Sequence, residues 1–346
     1  MSTTAAAKFL VDLAGRVVRD YDPTLIREII ERASGGELNE RRADGQRAST
    51  LTISGLPFEA SVTGGLGGFH PAIRYVTETA TNTQDFSARV TGQLATIQDL
   101  VAYLPGGTET LADQLCDFVI SMYPAPEHVS ARHRLVTWLG IVHHASLPRR
   151  AAGLKVYGNP AGVAGGLHRW ASARTGFEGL VPIPQQEKVI RPVGAAIEVD
   201  AQGKVTPKIY LRARYNDVAF PMKLVRYFGE PAWELLSELV SCGVDAARFH
   251  EHDYFVCCTP RTFTLYTIAR RDQDLSSLVR MLASRHHGTT DAVDALVRAA
   301  ESSGATFRYS GVGLGYSAGL GVDKLNVYGT PSWEQPVDDR DHRSDG

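Results

Sequence analysis

The chain of 346 residues carries a formal net charge of −2, with 43% hydrophobic and 21% charged residues. That balance is ordinary for a globular protein, and it excludes a general nucleic-acid binder, which needs a basic excess to release counterions from phosphate. No apolar run of about 18 residues occurs, no basic-then-apolar leader is present, and the four cysteines lack CxxC spacing, so a cytoplasmic protein with reduced thiols and no membrane span is expected.

In chain order, helical periodicity covers Ala5 to Val18 and Pro23 to Ala33, the second opened by Asp22 as cap and Pro23 in the first turn. Strands are expected over Ser49 to Thr63, with a break at Gly55-Leu56-Pro57, and over Ala72 to Thr79. Gly64 to Gly68 between them reads as a hairpin or lid loop, because no Gly-Lys-Ser/Thr follows to make it a phosphate loop. Helices over Phe86 to Tyr103 and Gly107 to Met122 precede strands at Leu135 to His144 and Gly153 to Gly158. A helical stretch at Ala161 to Ala173 leads to strands Val193 to Val199 and Val205 to Tyr215. Helices Pro221 to Phe228 and Pro231 to Val240 precede strands Tyr254 to Cys258 and Phe263 to Ala269. Helices Leu275 to Ser284 and Thr290 to Ser302 precede strands Thr306 to Leu314 and Lys324 to Tyr328. Residues 1–332 are expected to form one domain, and the charged segment 333–346 a disordered tail.

This is nearly five rounds of two helices followed by two strands. Ten antiparallel strands in hairpin pairs can close into a barrel that leaves no open edge. Four strand segments decide which side faces in: Leu154-Lys155-Val156-Tyr157, Lys208-Ile209-Tyr210-Leu211-Arg212, Phe263-Thr264-Leu265-Tyr266 and Lys324-Leu325-Asn326-Val327-Tyr328. Alternate residues on a strand point to opposite faces, so basic and phenolic side chains gather on one face and aliphatic ones on the other. The aliphatic face needs the amphipathic helices as cover, which leaves the Lys/Tyr face to line the lumen. Such a lumen suits a ligand with phosphate at one end and a developing carbocation at the other.

An α+β barrel of ααββ units, ten strands inside a ring of helices, resembles the ABBA aromatic prenyltransferases. Leu56-Pro57-Phe58-Glu59-Ala60-Ser61 is similar to the segment of the indole (dimethylallyltryptophan-synthase-type) branch that carries the acidic residue for the indole nitrogen. Pro71-Ala72-Ile73-Arg74-Tyr75 resembles the next strand, whose arginine holds the donor diphosphate. Lys155-x-Tyr157 and Lys208-x-Tyr210 resemble that branch's two Lys-x-Tyr pairs, and the strands ending at Tyr266 and Tyr328 resemble ones shared with the bacterial phenol and naphthalene branch. The ordered set spans about residues 50–330. It departs from the fungal indole enzymes at Thr206, where they usually place arginine, and Lys324 agrees better with the phenol branch.

The resemblance implies transfer of a dimethylallyl group from dimethylallyl diphosphate to an indole, tryptophan or a tryptophan-derived metabolite. A phenol, naphthalene or peptide side chain as acceptor, and a non-catalytic barrel that binds an isoprenoid diphosphate, stay open. Arg74, Lys155, Lys208, Lys324 and Arg212 are then the diphosphate ligands. Tyr157, Tyr210, Tyr266 and Tyr328 would shield the cation, and Glu59 would accept the indole N–H. On its strand His144 shares a face with Trp138 and Gly140, so it is either a lumen-facing base or a histidine hydrogen-bonded at a strand end. No Asp-Asp-x-x-Asp motif occurs, and neither His143-His144 nor His286-His287 has an acidic partner at ligand spacing. No metal site, no cofactor and no strict Mg²⁺ requirement are therefore expected.

Overall fold

A computed structural model describes residues 3–123, 125–129, 136–159, 190–213, 216–259 and 262–333. Among them eight α-helices and ten strands alternate in pairs. Helices α1 (Thr3–Val17) and α2 (Pro23–Ser34) precede strands β1 (Phe58–Gly65) and β2 (Gly68–Thr77). Helices α3 (Phe86–Val101) and α4 (Glu109–Met122) precede β3 (Leu139–His144) and β4 (Gly153–Gly158), and β5 (Ile190–Asp200) and β6 (Val205–Ala213) follow. Helices α5 (Phe220–Phe228) and α6 (Glu230–Ser241) lead to β7 (Asp253–Cys258) and β8 (Thr262–Ile268). Helices α7 (Ser276–His286) and α8 (Asp291–Ser302) lead to β9 (Thr306–Ser317) and β10 (Gly321–Ser332). The expected helix at 161–173 lies outside the described residues, as does 334–346.

Local chemistry starts these elements where the sequence says. The Asp22 carboxylate accepts from the backbone N–H groups of Thr24 and Leu25, and Gly35 ends α2 in the left-handed region at φ 61°. Each strand pairs antiparallel with its chain neighbours, and β1 pairs with β10 to close the barrel. The outward side chains Val156, Ile209, Val256, Leu325 and Val327 are fully buried beneath the helices, among them Leu239 of α6, Leu282 of α7 and Leu296 of α8. Each such side chain contributes about 1.5–3 kcal/mol by leaving water. Both expectations, helices outside and Lys/Tyr face inside, match the structure. Trp333 belongs to the packed body as well, edge-on against Phe9.

The strand boundaries differ at the first and last hairpins. Residues 49–57 are not strand: Gly55 turns the chain at φ 99° against the Glu40 carbonyl, and pairing begins at Phe58, after Pro57. Gly64 to Gly68 form a tight hairpin turn. β9 and β10 run past their expected ends because they pair with each other from Ser317–Gly321 to Thr306–Ser332. Gly65 sits opposite Lys324 on the closing seam, and a Cβ there would overlap the Asp323 carbonyl oxygen. Backbone cannot yield as a side chain does, so Gly65→Ala is expected to lower unfolding free energy in urea by about 1–3 kcal/mol.

Candidate active site

In a closed antiparallel meander all even-numbered strands run the same way. A lysine placed two residues before a tyrosine on each of them therefore lands at the same end of the lumen. β4 and β6 obey this order with Lys155/Tyr157 and Lys208/Tyr210, and β10 with Lys324/Tyr328 four residues apart. Arg74 on β2 pairs with Val142 and Ser61 at the cationic level. Glu59 on β1 pairs instead with Val76, two residues further along β2. The lumen thus has a cationic end, a tyrosine level and a far end that carries Glu59.

The cationic compartment, about 90 Å³, is lined by Arg74, Lys155, Lys208 and Lys324, with Thr264, Tyr316, Asn326 and the carboxylate Glu198. Lys155 donates to the Tyr210 hydroxyl at 2.6 Å, and its ammonium lies 4.5 Å from the Tyr157 ring centroid. Lys208 is ion-paired with Glu198. Arg74 leaves its buried Nε without a partner among the described residues. Burial pushes the Lys324 ammonium down to about 8, helped by Arg74, Lys208 and Lys155, with Glu198 opposing. Burial likewise lowers Lys155.

Tyr157, Tyr210, Tyr266 and Tyr328 form a continuous belt, with successive ring centroids 5.9, 6.5 and 5.9 Å apart. Small residues opposite the rings make room for it: Ala196 faces Tyr157, Gly194 faces Tyr210 and Gly313 faces Tyr266. A Cβ at Gly313 would stand 2.7 Å from the Tyr266 ring. Tyr157, Tyr266 and Tyr328 border both compartments, so the belt is the partition between them.

The second compartment is larger, about 890 Å³, and is lined by Glu59, Trp138, Tyr210, Phe255, Ile268 and the loop residues 50–54. Trp138 packs edge-on against Tyr157 at 6.2 Å. The Ser310 hydroxyl donates to Glu59 Oε1. Burial pushes the Glu59 carboxyl up to about 7, with Ser310 pulling the other way.

Two expected residues stand apart from the group. Arg212 follows Tyr210, so the strand carries it away from the lysines; it lines the second compartment, 3.7 Å from Asp253 and over the Phe255 ring. His144 lies two residues beyond Val142 and lines neither compartment; its Nδ1 is held by the backbone N–H and hydroxyl of Ser146. It is therefore the strand-end histidine rather than a group facing Glu59. Sequence reasoning missed Glu198 and Tyr316, and it set Trp138 on the right face without giving it a role. Glu198 had a readable signal, since β5 alternates Ala196-Ile197-Glu198-Val199 with the same parity as its neighbours. The adjacent Cys257 and Cys258 diverge as expected, Cys257 toward the lumen and Cys258 into the outer core. Among the described residues no group of three or more His, Cys, Asp or Glu is arranged to hold a metal, and no helix is long and apolar enough to cross a membrane.

No protein-family model and no curated protein sequence matches the chain significantly. Solved structures do. The 5-dimethylallyltryptophan synthase from Streptomyces coelicolor superposes with a TM-score of 0.69 at 17% identity, over 96% of this chain and 97% of that one. The 6-dimethylallyltryptophan synthase from Micromonospora olivasterospora, in complex with DMASPP and Trp, gives 0.68 at 18% identity, over 96% and 98%. AnaPT from Neosartorya fischeri gives 0.63 at 11% identity, over 93% and 91%. The chain has the ABBA barrel fold of these prenyltransferases.

Proposed function

We propose that the chain transfers a dimethylallyl group from dimethylallyl diphosphate to an indole ring, with tryptophan or a tryptophan-derived metabolite as acceptor. One observation carries this reading: a tyrosine belt divides a single lumen into a four-cation compartment and an aromatic one that carries Glu59. Shared fold with synthases solved in complex with DMASPP and Trp supports it. A cytoplasmic location belongs to the same reading and rests on four buried cysteines that are all unpaired.

Arg74, Lys155, Lys208 and Lys324 would hold the diphosphate and stabilise the negative charge that grows on it as the C1–O bond breaks. The electron pair leaves with pyrophosphate. The allylic cation then faces the tyrosine rings, whose cation–π attraction reaches about 2 kcal/mol each in a dry site. Water would be kept out while the indole carbon attacks. Glu59, ionised, accepts the indole N–H and enriches the ring. Arg212 serves the acceptor side rather than the diphosphate, and once the C–C bond has formed the arenium gives its ring proton to water that reaches the second compartment, because His144 lines neither compartment. With four basic side chains as counter-charge, the proposal includes no strict Mg²⁺ requirement.

Incubation with dimethylallyl diphosphate and tryptophan should yield prenylated product by mass spectrometry, with one pyrophosphate per product. Neither product nor pyrophosphate over a panel of indoles would contradict the reading. A pH dependence follows from the burial shifts. Ionised Glu59 is the active form, so kcat/KM rises through about 7; protonated Lys324 is the active form, so it falls above about 8. A steady-state profile should be bell-shaped, and a flat profile from 6 to 9 would contradict these two roles.

A further inference from the structure

Glu198 is a carboxylate inside the compartment assigned to an anion. It pairs in register with Lys155 across β4 and β5, and its side chain is ion-paired with Lys208. The pair is largely enclosed, with Lys208 14% and Glu198 29% exposed. Burial alone would raise the Glu198 carboxyl, but Lys208, Lys155 and Arg74 outweigh it and hold the group well below the usual carboxylate range. It is thus charged at neutral pH, is in contact with Lys208, and lies within electrostatic reach of Lys155 and Arg74, the same cations that would grip the donor. The other carboxylate on this wall, Asp323, forms no ion pair among the described residues.

Heterolysis of the C1–O bond leaves pyrophosphate with one more negative charge than it carried in the donor. Four cations that hold the donor would therefore hold the product more tightly still, and turnover would stall on release. We propose that Glu198 is a release device: it competes with pyrophosphate for Lys208 and Lys155 and holds product affinity down. The same carboxylate keeps the cations neutralised and ordered before the donor arrives. Glu198 is in this sense a positioning counter-charge, and the inference rests on the diphosphate reading of the compartment.

Calorimetric titration of inorganic pyrophosphate into the wild-type protein and Glu198→Gln, without added metal, tests it. A unit charge removed at contact distance from a bound polyanion should tighten binding by about tenfold or more. In the same variant kcat should fall while KM for the donor falls too, with a burst of product in the first turnover. Simple structural damage would weaken pyrophosphate binding instead. Wild-type binding with equal or weaker binding by Glu198→Gln overturns the release role and leaves the diphosphate reading standing. Binding by neither protein overturns both. Because an unpaired Lys208 puts the variant's folding at risk, a crystal structure of the wild-type protein with pyrophosphate gives a second readout. The Lys208–Glu198 pair should be open with Lys208 on the phosphate; an intact pair beside bound pyrophosphate overturns the inference.

Discussion

Lys155→Ala should lower prenyl transfer by more than tenfold, on the order of a hundredfold, while the far-UV circular dichroism and melting temperature stay close to wild type. The size follows from what one side chain does. Its ammonium donates to the Tyr210 hydroxyl at 2.6 Å and lies over the Tyr157 ring at 4.5 Å. Truncation removes a charge aimed at the leaving group and frees two rings of the belt to rotate. The fold should survive, because the outward neighbours Leu154 and Val156 make the buried contacts with the helical layer. Removal of a buried, desolvated ammonium also relieves a cost that the folded state carries. Steady-state kinetics beside thermal melting separate the two effects, and unchanged turnover would take Lys155 out of the site.

Glu59→Ala should cut turnover of an indole acceptor on the order of a hundredfold and leave a phenol acceptor far less affected. The carboxylate lines the second compartment half-buried, is pushed up to about 7 by that burial, and is held by one hydroxyl from Ser310. An indole N–H that binds it completes a charge-assisted hydrogen bond whose strength grows as the ring becomes cationic. A phenol offers an O–H at a different place on the ring and need not set it on this group to be activated. Glu59→Gln keeps the shape and loses the titration, so the acid limb of the pH profile should disappear with it. Equal losses for indole and phenol would mean that Glu59 supports the compartment rather than the acceptor.

Much of this site was legible because of a symmetry of direction. Strands two apart run parallel, and repetition of lysine-before-tyrosine on β4 and β6 sets the polarity of the lumen without any coordinates. The same rule, applied one step further, moves Arg212 to the far end; similarity of residue type had hidden that consequence of spacing. His144 shares the inward parity of Gly140, yet parity says nothing about height along the barrel, and two residues past Val142 the strand has left the compartment. Residues 49–54 read as strand because they alternate, but the break expected at Gly55-Leu56-Pro57 is where pairing has yet to begin, and the loop before it walls the second compartment instead. Glu198 escaped notice because a carboxylate contradicts the expected charge of its surroundings. Only the pairing of β5 with β4 and β6 shows that three cations surround it.

The most direct measurement is a crystal structure of the protein with dimethylallyl thiolodiphosphate and tryptophan bound together. The account predicts the diphosphate among Arg74, Lys155, Lys208 and Lys324, the allylic carbon against the rings of Tyr157, Tyr266 and Tyr328, and the indole N–H on Glu59. A diphosphate seated beside Arg212 and Arg308 in the second compartment, with the indole away from Glu59, would contradict it.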